Sequence, residues 1–188
     1  MNKVKYGLRN VHYSVITIGA GGIYSYGTPV AIPGAVSLSV SPAGDSAEFY
    51  ADDILYYNKS NNQGYTGTLT IADIPESFKT DVLGEVLDSN GALVEDADNI
   101  TKSFALLFEV QGDSKPRRFA FYDCSVARPG SEFNTKEASV TPATDGLEIT
   151  MKPRDNDKVV KAVLELSDTN TAVYNAFFDS VYASNASL

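Results

Sequence analysis

Ala35-Val36-Ser37-Leu38-Ser39-Val40 is the stretch that decides the fold. Val36, Leu38 and Val40 fall at every second position, with Ser37 and Ser39 between them. An extended chain therefore puts the apolar groups on one face and the hydroxyls on the other, whereas a helix would scatter them around its circumference. The same period returns in both directions along the chain. Thr66 to Ile71 sets Leu69 and Ile71 against Thr68 and Thr70. Phe104, Leu106, Phe108 and Val110 make a further apolar face, and Arg118 to Val126 follows across the turn-forming run Gln111-Gly112-Asp113-Ser114-Lys115-Pro116. In that second strand Tyr122, Cys124 and Val126 share the expected apolar face. Leu147, Ile149 and Met151 alternate with Glu148, Thr150 and Lys152, and Val160, Ala162, Leu164 and Leu166 with Val159, Lys161, Val163 and Glu165. Near the start, Val11 to Ile18 is apolar on both faces, and Gly19-Ala20-Gly21-Gly22 offers a hairpin turn into a second strand over 23–30. Alternation at this density predicts a mainly β fold, an antiparallel sandwich or barrel.

Two segments leave the period of two. Pro75 to Leu83 predicts a short helix, with Pro in the first turn, Gly84 to end it and Phe78, Val82 and Leu83 on one face. From Asp168 to Tyr182 the spacing is helical again, with Ala172, Val173, Phe177 and Val181 as the apolar stripe. The expectation is one domain over 1–188 in which one or two helices flank the β structure. The 188 residues suffice for one core, and 43% hydrophobic against 21% charged residues is ordinary for a globular chain. No run of eighteen apolar residues occurs, so no membrane anchor is expected, and the opening Met1-Asn2-Lys3-Val4-Lys5 does not lead into a signal-like apolar stretch. A single cysteine, Cys124, suits synthesis in a reducing cytoplasm. The net charge of −9 argues against tight sequence-independent binding of nucleic acid and suits a surface that DNA passes without sticking.

No residue pattern supports catalysis or a cofactor. His12, the one histidine, lies inside an alternating strand, and neither a nucleophile elbow nor a cysteine signature accompanies it. Cys124 reads as a small buried hydrophobe. Asp52-Asp53 and Glu95-Asp96-Ala97-Asp98-Asn99 could offer oxygens to Ca²⁺, but the central Gly and terminal acid of a calcium loop are missing, so solvated acids are expected. One His and one Cys cannot build a zinc site. The glycines at 19–22 precede a strand and not a helix, so they form no phosphate cradle. Lys115, Arg117, Arg118 and Arg128 make a local basic cluster, a candidate interface patch for acids on a neighbouring copy. Two stretches read as long loops, with short strands inside them as the alternative: Pro42 to Gly64, where Asp45, Glu48, Asp52 and Asp53 interleave with Phe49, Tyr50, Tyr56 and Tyr57, and the polar Pro129 to Thr144.

Several segments carry a family resemblance. They are Tyr6-Gly7-Leu8-Arg9-Asn10-Val11-His12-Tyr13, Phe49-Tyr50-Ala51-Asp52-Asp53-Ile54 with Tyr56-Tyr57 behind it, and Gly64-Tyr65-Thr66-Gly67-Thr68-Leu69. Ile74-Pro75-Glu76-Ser77-Phe78, Phe104 to Glu109, Tyr122 to Pro129 and Thr135-Lys136-Glu137 continue the order, as far as about Pro153. Together they resemble the major tail proteins of long, non-contractile-tailed phages of Gram-positive bacteria. The resemblance implies a tail-tube-protein-like β subunit, with no enzymatic activity and no cofactor, that assembles as hexameric rings. Stacked rings would form the virion's tail tube, built on a tape-measure protein between tail-tip and terminator proteins, with DNA only in transit. It assigns the inter-ring contact to Phe49, Tyr50, Asp52, Asp53, Tyr56 and Tyr57. The competing expectations are a carbohydrate-binding or adhesion β-sandwich, with exposed tyrosines stacking on sugars, and a secretion-system tube subunit.

Overall fold

A computed structural model describes residues 3–112, 114–131, 133, 135 and 142–184. Much of the expected 129–144 loop, and Lys136 and Glu137 of the resemblance, lie outside the described residues. The architecture is mainly β. Its spine is β10 (Phe104–Gly112) against β11 (Arg117–Val126), antiparallel with Phe108 opposite Phe119. On the far side of β10 lies β1 (Lys5–Ile18), whose own outer edge takes β2 (Tyr24–Tyr26) and β3 (Val30–Ala31). The single strand expected over 23–30 is therefore two short ones, broken at Gly27-Thr28-Pro29, where proline cannot donate to a ladder.

β11 is where the sheet divides. Its first half, Arg117–Phe121, pairs with β13 (Lys161–Glu165), and its last residues, Cys124–Val126, pair with β12 (Asp145–Met151). Between them the register slips, since Phe104 opposes Cys124 while Leu106 opposes Phe121, leaving one extra residue on β11. The bulge overturns the expected Tyr122-Cys124-Val126 face: Phe121, Cys124 and Val126 point into one core and Ala120 and Tyr122 into another. Beyond β12 come β7 (Tyr65–Ile71) and β4 (Ala35–Pro42), giving the order β2-β1-β10-β11-β12-β7-β4, while β8 (Val86–Leu87) and β9 (Leu93–Val94) pair with each other outside it. This wing folds back over the spine, so Leu69, Ile71, Leu147 and Ile149 meet Val11, Tyr13 and Leu106 in the main core. The sheet stays open, because among the described residues β4 has a ladder partner only in β7.

A second bulge corrects the deciding stretch itself. Ala35 opposes Ile71 while Ser37 opposes Thr70, so Val36 is the extra residue. Ala35, Leu38 and Val40 pack on the core and Val36 is left 59% exposed. The first helical segment, α1 (Glu76–Phe78), runs on as a wider π turn over Lys79–Leu83 and stops at Gly84, whose φ of +81° suits glycine. Phe78, Val82 and Leu83 close the main core. The second, α2 (Thr171–Asn175), continues as a 3₁₀ turn, Ala176–Phe178, and is shorter than the 168–182 the spacing suggests. Tyr174 and Phe177 are its buried residues, while Ala172 and Val173 face solvent. Here the aromatics decide the docking face, since Phe177 covers Ala105, Leu107, Ala120 and Tyr122 on the outer side of the spine.

One buried charge ties these layers together. Glu109 is 1% exposed and accepts from Arg9 Nε at 2.5 Å and Arg118 Nε at 2.8 Å. Arg118 in turn lies under the Tyr174 ring, 3.9 Å from its centre, and donates to the Tyr174 carbonyl. Asp123, fully buried, accepts from the Tyr24 hydroxyl at 2.9 Å.

Candidate self-association surface

Residues 42–64, expected as a long loop, form a two-stranded arm. β5 (Ser46–Ala51) and β6 (Ile54–Ser60) pair antiparallel, with Phe49 opposite Tyr57 and Ala51 opposite Ile54. Asp52 and Asp53 are the two-residue turn, with φ of +52° and +62°. Positive φ at both central positions is the pattern whose twist matches the flanking strands, and aspartate tolerates it better than most residues. Tyr56 is the extra residue of a bulge that places Tyr50 opposite Leu55. The base of the arm is continuous with the β4–β7 pair: Ala43 N donates to Gly64 O at 2.9 Å and Gln63 N to Ala43 O at 3.0 Å. Two glycines permit this crossing. A side chain at Gly44 (φ +137°) would lie 1.9 Å from the Asn61 carbonyl, and one at Gly64 (φ +99°) 2.0 Å from that of Met151.

Among the described residues none covers the arm. Every residue of β5 and β6 except Ala51 is exposed, Phe49 at 58%, Ile54 at 62% and Tyr56 at 72%. The register puts Phe49, Ile54 and Tyr57 on one side, while Tyr50 and Glu48, joined by a 3.0 Å hydrogen bond, lie on the other. Two strands alone are marginally stable in water, and clustered exposed apolar side chains are the usual mark of an interaction surface. Six of the expected contact residues are thereby gathered on one arm: Phe49, Tyr50, Asp52, Asp53, Tyr56 and Tyr57. Ile54 and Leu55 lie on the same arm and are exposed as well, at 62% and 47%.

The basic cluster does not assemble. Arg117 opens β11, while Arg128 lies two residues past its other end. Arg117 pairs with Glu165 at 2.9 Å, Arg118 is consumed by Glu109, and Lys115 Nζ donates to the Leu166 carbonyl at 3.1 Å. Arg128 pairs with Glu95, whose carboxyl is held below its ordinary range by that guanidinium. Residues adjacent in sequence were separated here by strand alternation and by cross-strand carboxylates that only the register reveals. His12 sits in the β1 ladder, with Nδ1 2.9 Å from the Asn10 carbonyl and its ring stacked on Phe178. Cys124 is fully buried and burial pushes its thiol up. Among the described residues no group of three or more His, Cys, Asp or Glu side chains is placed to hold a metal, and no helix is long and apolar enough to cross a membrane.

An open antiparallel sheet with an exposed apolar β arm has surface of the kind on which proteins associate. The sequence profile of the phage tail tube protein family matches residues 21–186, and the chain belongs to that family. It is thus a structural, non-enzymatic component of the virion tail. The match includes the C-terminal segment beyond Pro153 and begins after the Tyr6–Tyr13 stretch that contributed to the resemblance. No curated protein matches the chain.

Proposed function

We propose that this chain, acting as one tail-tube domain, self-assembles into stacked hexameric rings that form the tube of a long non-contractile tail and conduct DNA during ejection. The host on this reading is a Gram-positive bacterium, and the assembly partners are the tape-measure, tail-tip and tail-terminator proteins. The observation that carries the proposal is the β5–β6 arm, a hairpin with large apolar groups on both faces that no described residue of its own subunit covers. Its turn acids, Asp52 and Asp53, and its aromatics are assigned to contact between rings. The charge of −9 suits a conduit from which a polyanion slides away. DNA therefore makes no specific contact.

Electron microscopy of the purified protein over a concentration series, alongside sedimentation velocity, tests the proposal. Rings or hollow tubes of uniform width are expected. A species that remains monomeric at every concentration, and also when purified tail tips are added as initiators, overturns it.

A further inference from the structure

The open sheet leaves a cleft. Leu8, Leu38, Val40, Phe108, Val110 and Phe119 line a cavity of about 290 Å³ between the start of β1 and the end of β4, with Lys5 and Tyr6 at its rim. All six are core-facing side chains, and all but Phe108 are left only partly buried. The cause is topological. Among the described residues, Lys5–Asn10 of β1 pairs only with β10, and β4 pairs only with β7, so two strand edges border the gap without meeting. A second cavity of about 330 Å³ continues the seam between 8–12 and 31–35. β1 is bulged twice along this stretch, at Tyr6/Leu8 and Arg9/His12, which bends its edge away from a continuous ladder.

We infer that this cleft is the seat of the β5–β6 arm from a second copy of the chain, an inference that rests on the self-assembly proposed above. The cleft offers partly buried apolar walls beside unpaired strand edges; the arm offers an uncovered apolar side, Phe49, Ile54 and Tyr57, on an extended hairpin. Charge agrees with the match. The arm carries Asp45, Glu48, Asp52 and Asp53 against Lys59 alone, while Lys5 is the one charged residue at the cleft rim. The arm does not fill the cleft of its own subunit, since β5 and β6 are exposed almost throughout. Because arm and cleft are different surfaces, each copy gives one and receives another, which propagates an assembly instead of closing a pair.

Disulfide trapping between two variants, each with one added cysteine, tests the seat. Tyr6→Cys marks the rim of the cleft and Tyr57→Cys the arm, both at exposed positions, while Val173→Cys on the exposed side of α2 is the control partner. The native Cys124 is fully buried and stays silent. On oxidation of the mixture, the Tyr6→Cys and Tyr57→Cys variants should form a mixed dimer at least about tenfold faster than Tyr6→Cys with Val173→Cys, because docking raises the local thiol concentration. Rings or tubes without this excess overturn the seat and leave the tube reading intact. If no assembly forms, oxidation at the highest concentration still decides: an excess over the control upholds the seat while the tube reading fails, and no excess overturns both.

Discussion

Phe104 on β10 and Phe49 on β5 are both aromatic residues of antiparallel strands, yet one is 0% and the other 58% exposed. β10 lies between two strands, and its alternate sides are covered by the folded-back wing and by the C-terminal turn, so Phe104 to Phe108 is buried without interruption. β5 has one neighbour in β6 and neither face covered. An apolar side chain tells a strand that something must cover it and not whether the cover lies in the same subunit. On the proposed reading the contrast separates residues that hold the subunit together from residues that meet another copy, and substitutions on either side can break it.

The largest effect is expected at the covered end. Phe104→Ala empties a site between Phe78 and the β1–β11 layers and should cost about 4 kcal/mol, read as a shift of the denaturant midpoint. A shift under about 1 kcal/mol would mean that the core collapses into the gap and that the covered region is less tightly packed than its burial implies. Next comes Glu109→Ala. Removing the carboxylate leaves Arg118, with its side chain only 15% exposed, without its counter-charge, and a loss of about 3 kcal/mol is expected. Arg118 also stacks on Tyr174, so the variant should loosen the C-terminal segment first, seen as faster amide exchange over 171–178 than over β12.

A smaller effect is expected at Tyr13. Its hydroxyl donates to Asp81 Oδ2 at 2.8 Å, and burial above all pushes its pKa up from 10.0 to about 12. The folded state therefore holds the proton where the unfolded chain releases it. This contribution is complete below pH 10.0 and is lost as the pH rises toward about 12. Tyr13→Phe should cost about 1 kcal/mol at neutral pH, through the lost hydrogen bond, and flatten part of the alkaline decline. Tyr122 is shifted the same way by burial, so some decline should remain. An unchanged slope above pH 10.0 would show that Tyr13 is open to solvent.

The sequence made the strands legible and left their partners unread. Leu147, Ile149 and Met151 are buried and Glu148, Thr150 and Lys152 exposed, as simple alternation requires of a strand with one covered face. Val36 and Tyr122 violated that reading for one reason, a bulge, which shifts parity by one residue and leaves no compositional trace. The arm hides its strands because its turn is Asp-Asp, not the Asn-Gly that signals a hairpin, and because its apolar residues alternate around the extra Tyr56. Arg118 read as a surface cation because its partner, Glu109, is nine residues back across a turn. Local periodicity carries the elements, while register and cross-strand pairing carry the site.

The smallest effect on the fold is expected where the effect on association should be greatest. Phe49→Ser combined with Tyr57→Ser removes the central cross-strand pair of the arm, and both side chains are more than half exposed in the subunit. With little subunit packing to lose, the unfolding midpoint should stay within about 0.5 kcal/mol of the parent. Sedimentation at concentrations where the parent assembles should nevertheless show monomer. A drop in stability comparable to that of Phe104→Ala would place the arm among the elements that hold the subunit together, and the distinction between the two strands would fail. Undiminished assembly would leave the subunit side of the comparison standing and take the arm out of the interface. Replacing Asp52 and Asp53 by alanine is a poorer probe, because their φ of +52° and +62° penalises alanine in the turn itself. Asp52→Asn with Asp53→Gly keeps the turn and removes both charges, so any change in assembly then reports the carboxylates alone.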